Sequence, residues 1–215
     1  MDVVKKLAYF SALAVSASVL WMTSASANVI FTLGNHPQSD ENNILFAAAD
    51  TGLQITGEVG HSGIAVNFSS LTGQTLYQNA QGQASINEIN GAPLTSMFIT
   101  VPGYTFGDFI LNLQNGTGTA SVTVVDNFSE VFNYALGNGQ NFLTITTANG
   151  ETIASLKVIM STGGGFDVFK QPRISEVCNV RSCAPVFLAI PEPQPLALLG
   201  LGMVGLAVTR RQRKL

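Results

Sequence analysis

The chain has 215 residues, of which only 11% are charged, and its formal net charge is −3. The charge is unevenly distributed, because residues 28–190 hold eleven acidic side chains against four basic ones, a net charge of −7. A region this acidic repels the phosphates of nucleic acids and of anionic lipids, which disfavours both as its partners. The four basic residues are Lys157, Lys170, Arg173 and Arg181.

The first 27 residues have the three parts of a secretory signal peptide. Lys5 and Lys6 form a basic start, residues 7–22 are apolar, and small side chains follow up to Ala25 and Ala27. We predict an N-terminal signal helix here, which signal peptidase removes by cleaving after Ala27. The alternative is an anchor helix that stays attached to the protein.

Residues 28–177 show a period-two alternation of apolar and polar side chains, which is typical of half-buried strands. Val122 and Val124, for example, alternate with Ser121 and Thr123. Such runs recur at spacings of about ten residues. They predict an all-β fold, an antiparallel β-sandwich or jelly-roll-like domain. The predicted strands cover residues 30–33, 44–48, 53–59, 64–68, 74–78, 84–89, 94–101, 109–113, 122–124, 132–136, 143–147 and 154–160.

Turn sequences rich in Gly and Asn separate these runs. Asn149-Gly150 is the strongest hairpin signal, because a two-residue turn of the primed type needs positive φ at both positions. We therefore predict that the strands on either side of it, within residues 145–147 and 152–158, pair with each other. The other predicted turns are at Asn115-Gly116 and at residues 137–139 and 163–165.

Two cysteines, Cys178 and Cys183, follow the last predicted strand. In an oxidising compartment a pair at this spacing most simply closes a small disulfide loop. Residues 178–190 are therefore predicted to be a linker that this bridge stiffens. The alternative, a redox or metal-binding pair, lacks the histidines or the second cysteine pair that such sites use.

The chain closes on an apolar segment and a basic tail. Residues 195–209 as a helix would be about 22 Å long. This is shorter than the roughly 30 Å of a bilayer core, but local thinning of the bilayer compensates for the difference. We predict a single transmembrane helix, with a buried core helix as the alternative. The basic tail favours the transmembrane helix over the buried core helix, because basic residues stay on the cytoplasmic side of a membrane. They are Arg210, Arg211, Arg213 and Lys214.

The tripeptide Pro191-Glu192-Pro193 stands directly before this segment, whose glycine-rich part is residues 198–202. In this order, residues 191–215 resemble the PEP-CTERM sorting signal of proteins exported by diderm bacteria. The resemblance implies that an exosortase, a membrane-embedded processing enzyme, recognises the tripeptide as a substrate site. It also implies transient residence in the inner membrane, followed by display at the cell surface or release outside the cell.

Residues 105–177 resemble, more loosely, a segment that recurs in PEP-CTERM proteins. Its landmarks are residues 137–142, 150–153 and 170–175. The likeness supports the sandwich fold and names no ligand. Members of the family are associated with exopolysaccharide and biofilm production, so the resemblance implies exopolysaccharide as a partner.

Two functions fit an exported sandwich domain of this composition. The first is a glycan-associated binding module, with Tyr104 and Phe106 as the candidate ligand-binding residues because aromatic rings offer flat apolar surfaces. The second is a structural surface protein that coats or adheres without a dedicated pocket. The low charge and the Asn- and Thr-rich strands favour such a hydrated surface component.

Two alternatives stay open. A calcium-stabilised adhesin would take oxygen ligands from turns such as Asp126-Asn127 or residues 40–43, although no spacing matches a defined calcium loop. A secreted carbohydrate-active enzyme would need two carboxylates facing one cleft. We expect no catalysis, no cofactor and no bound metal. The carboxylates considered for catalysis are Glu58, Glu88, Asp108, Glu130 and Glu151.

Overall fold

The computed structural model describes residues 28–78, 81–126, 129–148 and 150–180. These residues form eighteen strands and no helix, and the paired strands are antiparallel. The predicted all-β, antiparallel class is confirmed. The strands are β1 (Asn28–Leu33), β2 (Asn42–Phe46), β3 (Asp50–Gly52), β4 (Gln54–Val59), β5 (Ala65–Ser69), β6 (Leu76–Gln78), β7 (Gly82–Gln83), β8 (Ser85–Glu88), β9 (Ser96–Thr100), β10 (Tyr104–Thr105), β11 (Asp108–Thr117), β12 (Thr119–Val125), β13 (Glu130–Ala135), β14 (Phe142–Ala148), β15 (Ser155–Met160), β16 (Gly165–Lys170), β17 (Arg173–Ser175) and β18 (Cys178–Asn179).

Within the described ranges, no helix is long and apolar enough to cross a membrane. The predicted signal helix and the predicted C-terminal transmembrane helix both lie outside the described residues.

Most of the strands form one continuous sheet that folds over on itself. Its order is β13-β12-β15-β9-β5-β4-β2-β17-β11-β16-β8-β6-β3, with β14 also beside β11, β1 beside β14 and β7 beside β2. We call the strands from β13 to β2 layer I. The strands from β17 to β3, together with β14 and β1, are layer II. The sheet passes from one layer to the other where β2 pairs with β17.

Aromatic contacts between distant strands show that the two layers face each other. The rings of Phe68 on β5 and Phe169 on β16 lie 5.8 Å apart. The free ends of the layers also meet, since Phe31 on β1 stacks on Phe132 on β13 at 5.0 Å. One apolar core fills the space between the layers, as in a β-sandwich.

The predicted alternation holds on β12. Ala120, Val122 and Val124 are buried in the core, while Ser121 and Thr123 face the other side and are half-buried. The apolar set leaves water on folding, at about 25 cal/mol per Å² of buried surface. This burial fixes which side of the strand turns inward.

Strand β11 departs from the prediction. Phe109, Leu111 and Leu113 are buried as expected, but Ile110 and Asn112, which the alternation places outside, are also fully buried. The prediction assumed that one side of β11 faces the core and the other side faces water. In the fold, another part of the chain covers that side.

Residues 34–41 provide this cover by crossing the outward side of layer II. At one end, the Thr144 hydroxyl donates to a backbone carbonyl of the segment at 2.9 Å and accepts from a backbone N–H at 3.0 Å. At the other end, a guanidinium nitrogen of Arg173 lies 3.1 Å from the buried carboxylate of Glu41. Thr144, Ile110 and Arg173 are neighbours in the strand register, so the segment passes over Ile110.

The predicted turn at Asn115-Gly116 is wrong, since both residues lie inside β11. Asn115 has a φ of 53°, and its backbone N–H donates to the carbonyl of Gly139 at 2.7 Å. A Cβ on Gly116 would lie 2.4 Å from the side chain of Leu136. Asn115 and Gly116 therefore distort β11 locally, as a bulge does, without ending the strand. Because Gly116 has no side chain, Leu136 can pack close to the backbone of β11.

The predicted hairpin at Asn149-Gly150 is also wrong. Strand β14, which precedes it, pairs with β1 and β11 in layer II. Strand β15, which follows it, pairs with β12 and β9 in layer I. The chain crosses between the layers here, and Gly150 has the positive φ, 76°, that the crossing requires. A turn sequence sets the local backbone but does not select the partner of the next strand.

Asn141 fixes the connection between β13 and β14 against β11. Its amide nitrogen donates to the carbonyls of Leu113 at 2.7 Å and Gly137 at 2.8 Å, and its amide oxygen accepts from the Gly137 N–H at 2.8 Å. Its backbone N–H donates to the side-chain oxygen of the buried Asn112 at 3.0 Å. This connection includes the landmark residues 137–142, which therefore have a structural role.

We predict that Asn141→Ala lowers the free energy of unfolding by about 2–4 kcal/mol, because each buried polar group that it leaves unpaired costs about 1–3 kcal/mol. Urea denaturation followed by circular dichroism measures the change. Asn138→Ala is the matched control, since Asn138 belongs to the same connection and is exposed. Equal stability of the two variants would contradict the anchoring role of Asn141.

The end of the described chain is attached to the domain by a separate two-stranded sheet. Strands β10 and β18 pair Tyr104 with Asn179 and Thr105 with Cys178. Cys178 is disulfide-bonded. Its predicted partner, Cys183, lies outside the described residues, so the bridge between the two and the linker around it stay predictions.

We expect the two cysteines of the exported protein to resist alkylation by iodoacetamide until a reductant is added, because a disulfide presents no thiolate. Mass spectrometry counts the alkylated residues before and after reduction. Cys183→Ser is the control for reagent access, since it frees Cys178. Alkylation of both cysteines without reductant would refute the bridge.

Candidate functional site

The two layers differ in how far their outward sides are open. Residues 34–41 cross layer II and leave Ile110 and Thr144 almost wholly buried. In layer I, most outward side chains of β4, β5, β9, β12 and β15 are half-buried or exposed. We call this outward side of layer I the outer face. It is a surface that is open to a large ligand.

Phe98 lies in the middle of the outer face. Its neighbours on β9, Met97 and Ile99, are fully buried in the core, so the alternation of the strand turns the Phe98 ring outward, where it is half-buried. In the register, Phe98 stands between Ser69 on β5 and Lys157 on β15. These residues belong to a row across six strands, which we call the central row. It consists of Gln54, Ser69, Phe98, Lys157, Thr123 and Val131.

A second row runs parallel to the central row, two residues away along each strand. It contains Thr56, Asn67 and Thr100. The Thr56 hydroxyl donates to the side-chain oxygen of Asn67 at 3.0 Å. In the central row, the Ser69 hydroxyl donates to the side-chain oxygen of Gln54 at 3.2 Å. These bonds orient the side chains and leave amide N–H groups for a ligand.

An open groove of about 240 Å³ continues the second row toward β2. Small side chains on β4 and β5 and in the turn between them leave this space. The carboxylate of Glu58, which is 37% exposed, stands in the groove with an oxygen 3.8 Å from Nδ1 of His61. The groove is lined by Leu45, Ala47, Thr56, Gly57, Glu58, Gly63 and Ala65.

Lys157 brings a positive charge into the central row. Among the described residues, no carboxylate forms an ion pair with it. Arg173, in contrast, is paired with Glu41 in layer II, and Lys170 ends β16 in the same layer. Lys157 therefore stands opposite Phe98 in the register, and the described part of the chain offers it no acidic partner.

The predicted ligand site at Tyr104 and Phe106 needs correction. Phe106 is fully buried, its ring lies 5.8 Å from that of Phe109, and its backbone bridges to Ile153. It cannot stack on a sugar. Tyr104 is half-buried and pairs with Asn179 in the separate sheet of β10 and β18, so it is not part of the central row.

Tyr134 belongs to the core. Its side chain is buried, its hydroxyl has no hydrogen-bond partner among the described residues, and its ring lies 6.1 Å from that of Phe132. Burial raises the pKa of the Tyr134 phenol, because the ionised form would lose its hydration. It therefore stays neutral and packs as an aromatic core residue.

Two of the carboxylates considered for catalysis serve the fold. Glu88 is buried and accepts hydrogen bonds from the backbone N–H groups of Asn90 at 2.6 Å and Ala92 at 3.2 Å. Asp108 is buried and accepts from the Ser175 hydroxyl at 2.8 Å. Both carboxylates are occupied by groups of the domain itself.

The described part of the chain brings no three His, Cys, Asp or Glu side chains close enough together to hold a metal ion. Within residues 40–43, Glu41 is paired with Arg173. Asn127, which was considered with Asp126, lies outside the described residues. Stabilisation by calcium stays an alternative to the prediction that no metal is bound.

The residues predicted for export and sorting lie outside the described residues. They are Ala25, Ala27, Pro191, Glu192, Pro193, Arg210, Arg211, Arg213 and Lys214.

Sequence reasoning missed Phe98, although the predicted strand over residues 94–101 contains it. Met97, Phe98 and Ile99 are consecutive apolar residues, so the period of two is hidden at this point. The polar neighbours Ser96 and Thr100, two residues away on either side, carry the only signal that this side of the strand faces outward.

Three solved structures of family 29 carbohydrate-binding modules are similar to the chain. A mutant of the module CBM29-2 has 13% identity over 70% of this chain and 92% of its own, with a TM-score of 0.29. A second CBM29-2 mutant has 12% identity over the same shares and a TM-score of 0.22. A further family 29 module has 11% identity over 68% of this chain and 88% of its own, with a TM-score of 0.24. Scores this low assign no ligand to this chain.

No curated protein matches the chain in sequence. Residues 189–214 match the PEP-CTERM protein-sorting motif, and this range includes the tripeptide Pro191-Glu192-Pro193 and all four basic residues of the tail. The motif indicates an exported protein that is sorted to the cell surface, and it implies processing by an exosortase. The chain is therefore one of the proteins that carry a PEP-CTERM protein-sorting motif, as predicted, and is consistent with an exosortase substrate.

Proposed function

We propose that this protein is displayed at the cell surface and binds polysaccharide with the outer face of layer I. The observation that carries the proposal is the central row, in which the half-buried Phe98 ring stands between Ser69 and Lys157. The ligand in the cell would be an exopolysaccharide of the surrounding matrix.

A sugar ring needs two kinds of contact. Its C–H face is apolar and packs on an aromatic ring, and the hydroxyls at its rim exchange hydrogen bonds with polar side chains. Phe98 offers the ring, and hydroxyl and amide groups flank it on neighbouring strands. Because strands lie about 4.8 Å apart, the six strands of the central row extend over roughly 24 Å. This width suits several units of an extended polymer.

The groove beside the second row supports a polymer ligand. It opens onto the same face, so a chain lying across Phe98 can continue past Thr56 and Asn67 into it. The carboxylate of Glu58 and the hydroxyl of Thr56 would accept hydrogen bonds from sugar hydroxyls there.

A binding role without catalysis fits this groove. Glycoside hydrolysis uses two carboxyl groups that flank the scissile bond. Among the residues that line the groove, Glu58 is the one with a carboxylate. We therefore propose a binding module or matrix component that does not cleave its ligand.

The chain exit keeps the domain near the membrane until sorting is complete. Strand β18 ends at Asn179, 12 residues before Pro191. An extended chain of that length reaches no more than about 40 Å. In this proposal the exosortase recognises Pro191-Glu192-Pro193 after export and cleaves near it, which releases or transfers the domain.

We predict that Phe98→Ala weakens polysaccharide binding about tenfold. An aromatic contact is worth roughly 1 kcal/mol beyond its buried area, and 1.4 kcal/mol corresponds to a factor of ten in Kd. Affinity electrophoresis through gels that contain a panel of polysaccharides gives the Kd values. Leu33→Ala is the control, because it removes an apolar side chain that is 58% exposed on layer II.

The control variant should bind as tightly as the original protein, and thermal unfolding checks that both variants are folded. A folded Phe98→Ala protein with unchanged affinity for every polysaccharide in the panel would contradict the proposed face. Absence of binding by the original protein to the whole panel would favour the structural, coating role.

We predict that Glu192→Ala stops C-terminal processing, because it removes the charged residue of the recognised tripeptide. The expected result is a membrane-associated precursor that retains its basic tail, seen by mass spectrometry of the C-terminal peptide. Gln194→Ala, just outside the tripeptide, should be processed normally. Processing and display of the Glu192→Ala protein at the original level would show that the exosortase does not recognise the tripeptide.

A further inference from the structure

We infer that the outer face selects acidic polysaccharides, and that the ammonium group of Lys157 pairs with the carboxylate of a uronic acid unit. This inference rests on the proposed function and specifies the class of its ligand. It starts from the unusual position of one basic residue in an acidic domain.

Lys157 lies directly opposite Phe98 in the register of β15 and β9. Side chains at such opposite positions have Cβ atoms about 4.5–5.5 Å apart and leave the sheet on the same side. A sugar ring packed on Phe98 would therefore hold its rim substituents within reach of the Lys157 ammonium group. Thr123, on the far side of Lys157, adds a hydroxyl to the same place.

The electrostatic setting of Lys157 favours an external carboxylate. No carboxylate of the described residues forms an ion pair with it. Lys157 is half-buried, and partial removal of water strengthens its attraction to a negative group. A charge-assisted hydrogen bond to an ionised acceptor is also stronger than one to a neutral hydroxyl.

The acidic character of the domain does not cancel this attraction. The net charge of −7 acts on a polyanion mainly at long range, and salt screens it beyond about 8 Å at physiological ionic strength. On the outer face, Glu58 of β4 is separated from Lys157 of β15 by three strand spacings, or roughly 14 Å. The Glu58 end of the face therefore suits neutral units, and the Lys157 end suits acidic ones.

The other basic residues of the described chain do not offer the same site. Arg173 is held by Glu41 and by the side chain of Asn35 in layer II. Lys170 also belongs to layer II, opposite Ser85. Neither has an outward aromatic ring opposite it in the register. A preference for acidic polymers should therefore depend on Lys157 and not on the total number of lysines.

The test compares polygalacturonate with its fully methyl-esterified form, which has the same sugar backbone without the negative charge. Affinity electrophoresis of the exported protein gives a Kd for each polymer. We expect the acidic polymer to bind about tenfold or more tightly than the ester, which is the effect of one charge-assisted bond. Lys157→Gln should abolish this difference, so that the variant binds the two polymers with equal affinity.

Two further variants separate the possible outcomes. Lys170→Gln removes the same charge from layer II and should keep the preference, whereas Phe98→Ala should weaken binding of both polymers. Equal binding of the two polymers by the original protein, or a preference that survives Lys157→Gln, would overturn the inference and leave the proposed function standing. A loss of preference in Lys170→Gln as large as in Lys157→Gln would also overturn it, since any lysine would then suffice. Failure of the original protein to bind polygalacturonate would overturn the inference, whereas the proposed function fails only if the whole panel of polysaccharides is not bound.

Discussion

The register between neighbouring strands of layer I decides what this domain presents to its surroundings. The core is a single apolar layer between two halves of one folded sheet, in which Phe68 of β5 meets Phe169 of β16. A slip of one residue in β9 would turn Phe98 into the core and place Met97 and Ile99 outside. The burial of Met97 and Ile99 thus holds the outer face in place.

The sequence predicts most strands correctly because, on strands such as β12, one side meets the core and the other side meets water. It fails on β11, whose second side is covered by residues 34–41, a segment distant in sequence. It also fails at Asn149-Gly150, where the connection joins strands of two layers instead of two paired strands. In both cases the deciding contact is not local.

The candidate functional residues also fall into two groups, one that the sequence identifies and one that it does not. Targeting depends on short contiguous segments, so residues such as Glu192 could be identified directly from the chain, and the sorting motif is confirmed. The outer face depends on residues brought together from several strands, of which Phe98 and Lys157 are far apart in sequence. The aromatic residues chosen from the sequence were a poor guide, because Phe106 is fully buried in the core and its backbone bridges to Ile153.

The segment over residues 34–41 has a consequence for valency. Because it covers the part of layer II around Ile110 and Thr144, the proposed polymer contacts lie on the outer face of layer I alone, and one molecule would engage one polymer strand. Cohesion would then come from many copies held on one cell and engaging the same strand. Effective concentration would raise the avidity of such an array far above the affinity of one copy.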